Sequence, residues 1–189
     1  MKRIISFVLI VILAFSAVAL SSCGKSEEGV PSGMKLASAD TATYSFYVPE
    51  SWKCDVASGA TTAYYSNSDT SNVSVMTFSL PYTDSDVDDW WKSFSSDFNV
   101  VYKDFKVISE EPATLDGVVG MKYVFSGKLT HDNGGEPVEE PLKFMQVVAI
   151  RSKAMSSPEA YVITYTSSDD VYDSHLDDVG RMIENFKFK

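Results

Sequence analysis

The spacing of the apolar residues switches from a strand pattern to a helix pattern twice along this chain, and this arrangement restricts the fold more than any other feature. The first block alternates apolar and polar residues, which predicts strands at residues 44–48, 52–57, 60–66 and 72–80. From Asp86 to Tyr102 the apolar residues instead recur every three or four positions, which predicts one amphipathic helix. The chain therefore switches from strands to a helix within its first half.

The same switch occurs again in the second half. Further strands are predicted at residues 105–111, 117–129, 142–152 and 159–167. The loop over residues 131–141 between the middle two is predicted to be an extended hairpin connection. A last short strand is predicted near residues 186–188. Before it, a C-terminal helix is predicted from apolar residues with helical spacing: Tyr172, Leu176, Val179, Ile183 and Phe186.

The order strands, helix, strands, helix contains no strand–helix–strand alternation. Segregated strands joined by short connections favour an antiparallel sheet, and helices with a single apolar face favour layers packed on that sheet. The predicted fold class is therefore α+β, an antiparallel sheet sandwiched by helices.

The start of the chain has the three parts of a secretory signal. Lys2 and Arg3 precede an apolar run over residues 4–20, and small residues lead to Cys23. The triplet Leu-Ser-Ser before Cys23 resembles the bacterial lipobox, in which the cysteine receives a diacylglycerol and becomes the first mature residue. The prediction is an extracytoplasmic protein anchored to a bacterial membrane through Cys23, and the alternative is an uncleaved signal anchor.

The chain divides into three predicted parts. Residues 1–22 form the lipoprotein signal peptide, and residues 23–33 form the lipidated cysteine with a flexible Gly-, Ser- and Glu-containing tether. Residues 34–189 form one domain. The mature chain of 167 residues is long enough for one domain with its own core.

The charge of the mature chain excludes one class of partner. Removal of the signal leaves 14 Lys and Arg against 26 Asp and Glu, a net charge of −12. Nucleic-acid phosphates need Lys and Arg for neutralisation, so no nucleic-acid partner is expected. No polybasic stretch attracts anionic lipid, so the predicted lipid on Cys23 supplies the membrane contact. The acidity also favours a soluble, monomeric domain.

One group of acidic residues and one group of aromatic residues are candidates for binding. Asp84, Asp86 and Asp88 alternate like the start of a calcium loop, but Asp89 stands where that loop needs Gly. The alternative is capping of a helix N-terminus. Five aromatic residues are candidates for lining an exposed groove, and the alternative for them is packing in the core: Trp90, Trp91, Tyr64, Tyr65 and Tyr82.

The sequence contains no recognised catalytic motif. Cys54 fits a half-apolar strand as a small hydrophobe, and neither His131 nor His175 has a second ligand at metal spacing. No cofactor is expected. A nucleophile assembled in space from Cys54 or a histidine stays open as the enzymatic alternative, because catalytic triads are spatial.

Two segments resemble the PsbP-like family. The first is YSFYVPESW at residues 44–52, an aromatic strand, a proline-centred turn and a tryptophan. The second is AYVITYT at residues 160–166, followed by an acidic helix and the ending IENFKF at residues 183–188. The resemblance spans nearly all of residues 34–189 and implies an α/β/α sandwich with an accessory or binding role. It matches the scaffold alone, so it transfers no functional residue.

Three functions remain open at this level. The first is a non-catalytic accessory domain that binds a protein of the bacterial envelope. The second is a carrier of a small apolar ligand or lipid between sheet and helices, and the third is an envelope enzyme.

Overall fold

The structure is a computed structural model that describes residues 29–57, 60–66, 68–81, 86–152 and 156–189. The bounds of its strands, its α-helices and one 3-10 helix follow in chain order: β1 Met34–Leu36, β2 Tyr44–Ser45, β3 Tyr47–Pro49, β4 Lys53–Ala57, β5 Ala60–Tyr64, β6 Asn72–Ser79, α1 Val87–Ser95, α2 Phe98–Val101, β7 Lys103–Leu115, β8 Val118–Asn133, β9 Glu136–Arg151, β10 Glu159–Ser168, the 3-10 helix Tyr172–His175, α3 Leu176–Glu184 and β11 Lys187–Phe188.

Seven strands form one antiparallel sheet in the order β4-β5-β6-β10-β9-β8-β7. Tight turns join the long strands. Asp116 and Gly117 connect β7 to β8, and Gly134 and Gly135 connect β8 to β9, all with positive φ. Two central residues with positive φ match the right-handed twist of a hairpin, which explains the Asp-Gly and Gly-Gly pairs. Two further pairs, β1 with β3 and β2 with β11, are also antiparallel.

Helices cover both faces of the large sheet, so the predicted antiparallel sheet between helices is confirmed. On one face α3 and the N-terminal strands enclose a core that includes Phe46, Trp52 and Phe186, each with no solvent exposure. On the other face α1 and α2 pack through Trp91 and Phe98 onto sheet residues that include Phe125. The alternation along β6 serves both cores, because Val73 and Val75 join the first while Phe78 contacts the second.

The segment predicted as one helix from Asp86 to Tyr102 is two helices. A break at Ser96 and Asp97 separates α1 from α2. Serine hydroxyls bond to backbone carbonyls at this point, Ser95 to Trp91 at 2.8 Å and Ser96 to Ser93 at 2.9 Å. Such bonds compete with the regular helical ladder and favour its termination.

The predicted hairpin connection between β8 and β9 is confirmed, but the prediction that residues 131–141 form its loop is wrong. β8 and β9 continue toward each other across this stretch until only the Gly-Gly turn separates them. Polar side chains on both faces hid the alternation, because the strands here have no buried side. His175 also departs from its expected place within the last helix, since it ends the 3-10 helix and precedes α3.

The polypeptide entering the domain is held on α3. Arg181 donates from Nη2 to the Ser32 carbonyl at 3.0 Å, and the Glu50 amide donates to the Gly33 carbonyl at 3.2 Å. Cys23, the signal segment and most of the predicted tether lie outside the described residues. Among the residues that the structure does describe, no helix combines the length and hydrophobicity needed to cross a bilayer.

Candidate functional site

The end of the β8–β9 hairpin extends beyond its neighbouring strands. β7 pairs with β8 only as far as Lys128, and β10 pairs with β9 only as far as Leu142. Residues 129–140, called the outer ribbon here, therefore pair with each other and with no other described strand. Most of its side chains are exposed. A two-stranded ribbon without a packed face adds little to the core, so its side chains are available for contacts with another molecule.

The two faces of the outer ribbon differ in charge. The face on the side of α1 and α2, called the ribbon face here, carries Glu136, Val138 and Glu140 from β9 and His131 from β8. Val138 is 39% exposed and lies opposite His131. Neither glutamate forms an ion pair with a described residue.

The opposite face is electrostatically compensated. Glu139 contacts Lys103 and Lys128, and Lys128 also contacts Asp104 at 2.7 Å. The hydrogen bond and charge of Lys103 lower the pKa of Glu139, and those of Lys128 lower the pKa of Asp104. Asp104 raises the pKa of Lys128 in return. The negative charge that lacks a cation is therefore on the ribbon face.

A hollow of about 360 Å³ lies at the base of the outer ribbon. Three separate segments line it. Glu140 comes from β9, residues 68–70 come from the β5–β6 connection, and the third segment consists of Ser168 at the end of β10 with Asp170 and Val171 after it. The hollow occupies the line along which β10 would continue beside β9, because β10 ends at Ser168 while β9 extends past it.

His175 contacts Asp69, one of the residues that line this hollow. Its Nε2 lies 2.8 Å from the Asp69 carboxylate, and the ring is enclosed by Tyr65 at 4.3 Å and Trp52 at 5.6 Å between centroids. Burial by itself raises the pKa of Asp69, but the hydrogen bonds from Ser71 and from His175 outweigh it and lower the pKa. The pair fixes the β5–β6 connection to the start of α3.

The structure distributes the predicted aromatic residues over separate places. Trp91 is 5% exposed and stacks on Tyr123 at 4.1 Å, while Trp90 is half-buried and stacks on Phe94 at 4.6 Å. Tyr65 is 40% exposed and packs on His175 at the other face of the sheet.

Tyr64 lies too far along the sheet to join the tryptophans. It pairs with Asn72 on β6, whereas Trp90 contacts Phe78 six residues further along, about 20 Å away. Tyr82 lies outside the described residues. The aromatic candidates thus do not form one groove among the residues described.

The described members of the predicted acidic group have local partners. Asp86 caps α1 by accepting from the Asp89 amide at 3.0 Å, and Asp88 accepts from the Tyr123 hydroxyl at 3.1 Å. Burial, then the Asp88 carboxylate, raises the pKa of Tyr123. Asp84 lies outside the described residues. No set of three His, Cys, Asp or Glu side chains suited to a metal occurs within the described ranges.

Two residues of the enzymatic alternative, Cys54 and His131, lie toward opposite edges of the large sheet. Cys54 lies on β4 and packs beside the core under α3. His131 lies on the outer ribbon, and His175 contacts Asp69 and two aromatic rings. β4 is one edge of the seven-stranded sheet and β8 is next to the other edge, so Cys54 and His131 do not meet.

No protein-family model and no curated protein matches this chain. Solved structures do match. The cyanobacterial PsbP protein (CyanoP) of Synechocystis sp. PCC 6803 is 18% identical with a TM-score of 0.55, covering 90% of this chain and 99% of that one.

Two further structures match at similar levels. LpqN of Mycobacterium tuberculosis is 13% identical with a TM-score of 0.53, over 77% of this chain and 83% of that one. The Ran-binding protein Mog1p of Saccharomyces cerevisiae is 11% identical with a TM-score of 0.51, over 82% of this chain and 95% of that one.

The shared feature is the fold. The chain has the antiparallel sheet and flanking helices of CyanoP, as the resemblance to PsbP-like proteins implied. Identities below a fifth carry the architecture and no residue-level role, so the outer ribbon and the hollow have to be interpreted from their own chemistry.

Proposed function

We propose that this chain is a lipid-anchored, extracytoplasmic domain with a non-catalytic accessory role that binds a protein of the bacterial envelope. The outer ribbon is the observation that carries the proposal. It extends beyond the sheet, leaves one glutamate-bearing face uncompensated and contributes little to the core. A surface of this kind is suited to contact with another macromolecule.

The structural neighbours support an accessory or binding role at the level of the fold. LpqN is described as involved in cell envelope biogenesis, Mog1p as a Ran-binding protein and CyanoP as a cyanobacterial PsbP. None of these descriptions names a catalytic activity. A shared fold does not by itself determine function, so the neighbours favour the proposal without naming a partner.

The position of the chain entry supports a role close to the membrane. Ser32 and Gly33 are held by Arg181 and Glu50, and Trp52 follows Glu50 by two residues. Trp52 packs on His175, whose partner Asp69 lines the hollow. An anchor at Cys23 would therefore retain the domain by the end that bears the hollow and the outer ribbon. Only eight residues separate Cys23 from Ser32, which span at most about 30 Å.

The test is co-purification of the full-length protein from its own membranes in mild detergent, followed by mass spectrometry. The expected result is one protein retained in stoichiometric amount with the wild-type chain. Cys23→Ala, which lacks the lipidated sulfur, is the control and should lose most of that protein. Retention of lipid or of a small molecule, with no protein above background, would contradict the proposal.

A further inference from the structure

The ribbon face has a defined pattern along β9. Glu136, Val138 and Glu140 are each two residues apart, and alternation along a strand places all three side chains on one face. An exposed apolar side chain therefore lies between two carboxylates. The distance along the strand from Glu136 to Glu140 is about 13 Å.

The opposite face of the same ribbon provides an internal comparison. Its glutamate, Glu139, is compensated by Lys103 and Lys128. The two glutamates of the ribbon face have no such cation among the described residues. Uncompensated charge at an exposed surface attracts a partner surface of opposite charge. Complementary charges across an interface contribute to the choice of partner.

The free edge of β9 is unsuited to the addition of another strand. Pro137 and Pro141 both lie in the stretch that β10 does not reach. Proline has no N–H to donate, and it occurs in sheets at edges where it blocks further pairing. Addition of a strand from a partner, or from a second copy of this chain, along β9 is thereby disfavoured, and the side chains of the ribbon face remain available for contact.

The hollow extends the same surface. Glu140 belongs both to the ribbon face and to the lining of the hollow, which also includes Asp69 and Asp170. A long cationic side chain that reaches Glu140 therefore has a space of about 360 Å³ next to it. Lys and Arg have the required charge and length.

We propose that the ribbon face binds a protein segment that presents two Lys or Arg side chains to Glu136 and Glu140 and an apolar side chain to Val138. This inference rests on the proposed function and specifies the chemistry of its partner. The cationic side chain next to Glu140 enters the hollow. The partner is a basic protein surface, and neither a lipid nor a nucleic acid provides this combination.

The experiment is site-specific photocrosslinking of the full-length, anchored protein in its own membranes. A photoreactive amino acid replaces Val138 on the ribbon face or, in a second protein, Asp132 on the opposite face. The expected result is one protein adduct from position 138 and at least tenfold less from position 132. The crosslinked peptide should contain two Lys or Arg residues around an apolar one.

Charge variants then test the glutamates. Glu136→Gln/Glu140→Gln should reduce the adduct from position 138 at least tenfold. Glu139→Gln/Glu110→Gln removes the same number of charges from other exposed sites and should leave it within twofold. Equal adducts from both positions, an adduct with lipid, a crosslinked segment without cations, or insensitivity to Glu136→Gln/Glu140→Gln would overturn the inference.

This outcome is separable from that of the proposed function. If the wild-type chain retains a stoichiometric protein in the co-purification but position 138 gives no adduct with it, the accessory role stands and the ribbon face is not its interface. If no protein is retained at all, the proposed function is contradicted, and the inference about the ribbon face falls with it.

Discussion

At the scale of single residues, adjacent tryptophans on α1 have different roles. Trp91 is almost fully buried and contacts Tyr123, Phe98 and Phe125, whereas Trp90 lies at the margin of the helix layer. Two neighbours on a helix are about 100° apart, so only one of them points directly at the sheet.

The first prediction follows from this difference. Trp91→Ala should lower the free energy of unfolding by about 3–5 kcal/mol, because it removes a large buried ring and leaves a cavity. Trp90→Ala is the matched control and should cost less than half as much. Denaturant titration measures both values. Equal losses in the two variants would show that the packing of α1 differs from the one described.

The second prediction concerns Asp69 and pH. Its pKa in the folded protein lies below the usual value near 4, so its carboxylate stabilises the fold above that pH. This contribution is lost as the pH falls through the lowered pKa. The free energy of unfolding of Asp69→Asn should therefore decline less steeply than that of the wild type between about pH 5 and pH 3. Identical slopes in the two proteins would contradict the role given to this carboxylate.

At the scale of secondary-structure elements, substitution of alanine is expected to have opposite effects on stability at two glycines. A Cβ on Gly120 of β8 would meet the Val148 carbonyl oxygen at 2.0 Å, whereas a Cβ on Gly180 of α3 has no described neighbour within 4 Å. Close packing of adjacent strands thus requires the first glycine, while the second weakens a helix.

The third prediction uses this pair. Gly120→Ala should destabilise the protein by about 1–3 kcal/mol or more, because the backbone of β9 has to shift. Gly180→Ala should raise the free energy of unfolding by up to about 1 kcal/mol through helix propensity. Thermal and denaturant unfolding measure both changes. A stabilising Gly120→Ala would refute the described pairing of β8 with β9.

The fourth prediction concerns the outer ribbon as an element. Replacing residues 130–139 with Asn-Gly, so that the turn joins the paired residues Leu129 and Glu140, should shift the melting temperature by only a few degrees. The reason is that the removed residues form no part of either core, and their exposed ion pairs contribute at most about 1 kcal/mol. Retention of the partner protein should be lost. A shortened protein that still retains the partner would contradict the proposal.

These elements also show what sequence reasoning could and could not reach. Alternation in Tyr44, Phe46 and Val48 and the helical spacing of Tyr172, Val179 and Phe186 predicted buried faces, and those residues are buried. Each of these segments has one face in a core, and burial is what produces the periodic signal.

The outer ribbon lacked that signal because, beyond Leu129, neither of its faces packs against a core. Its Gly-Gly pair was the available indication of a two-residue hairpin turn. The contact of His175 with Asp69 joins residues 106 positions apart, so no local pattern reports it. The site was therefore harder to predict than the layers that support it.

At the scale of the whole molecule, the charge of the protein determines how it meets a partner. The full chain has a net charge of −10, and the glutamates of the ribbon face add local negative charge that no described cation compensates. Such a molecule attracts basic surfaces over a distance of about one Debye length, roughly 10 Å at 0.1 M salt.

The fifth prediction is that salt weakens the complex. Raising NaCl from about 0.05 to 0.5 M during washing should reduce the amount of retained partner severalfold, because salt screens the attraction between exposed charges. Glu136→Gln/Glu140→Gln should show a smaller salt dependence than the wild type. Retention that increases with salt would indicate an apolar interface in place of the proposed one.

The measurement that tests the central claim most directly is the mass of the native assembly. The tagged full-length chain is extracted from its own membranes in mild detergent, separated on a native gel and analysed for composition. The account predicts a discrete species that contains a second protein and is well above the 20.8 kDa of this chain. It also predicts that Cys23→Ala is absent from that species. A wild-type chain that migrates alone, with only its detergent, would contradict an accessory role in protein binding.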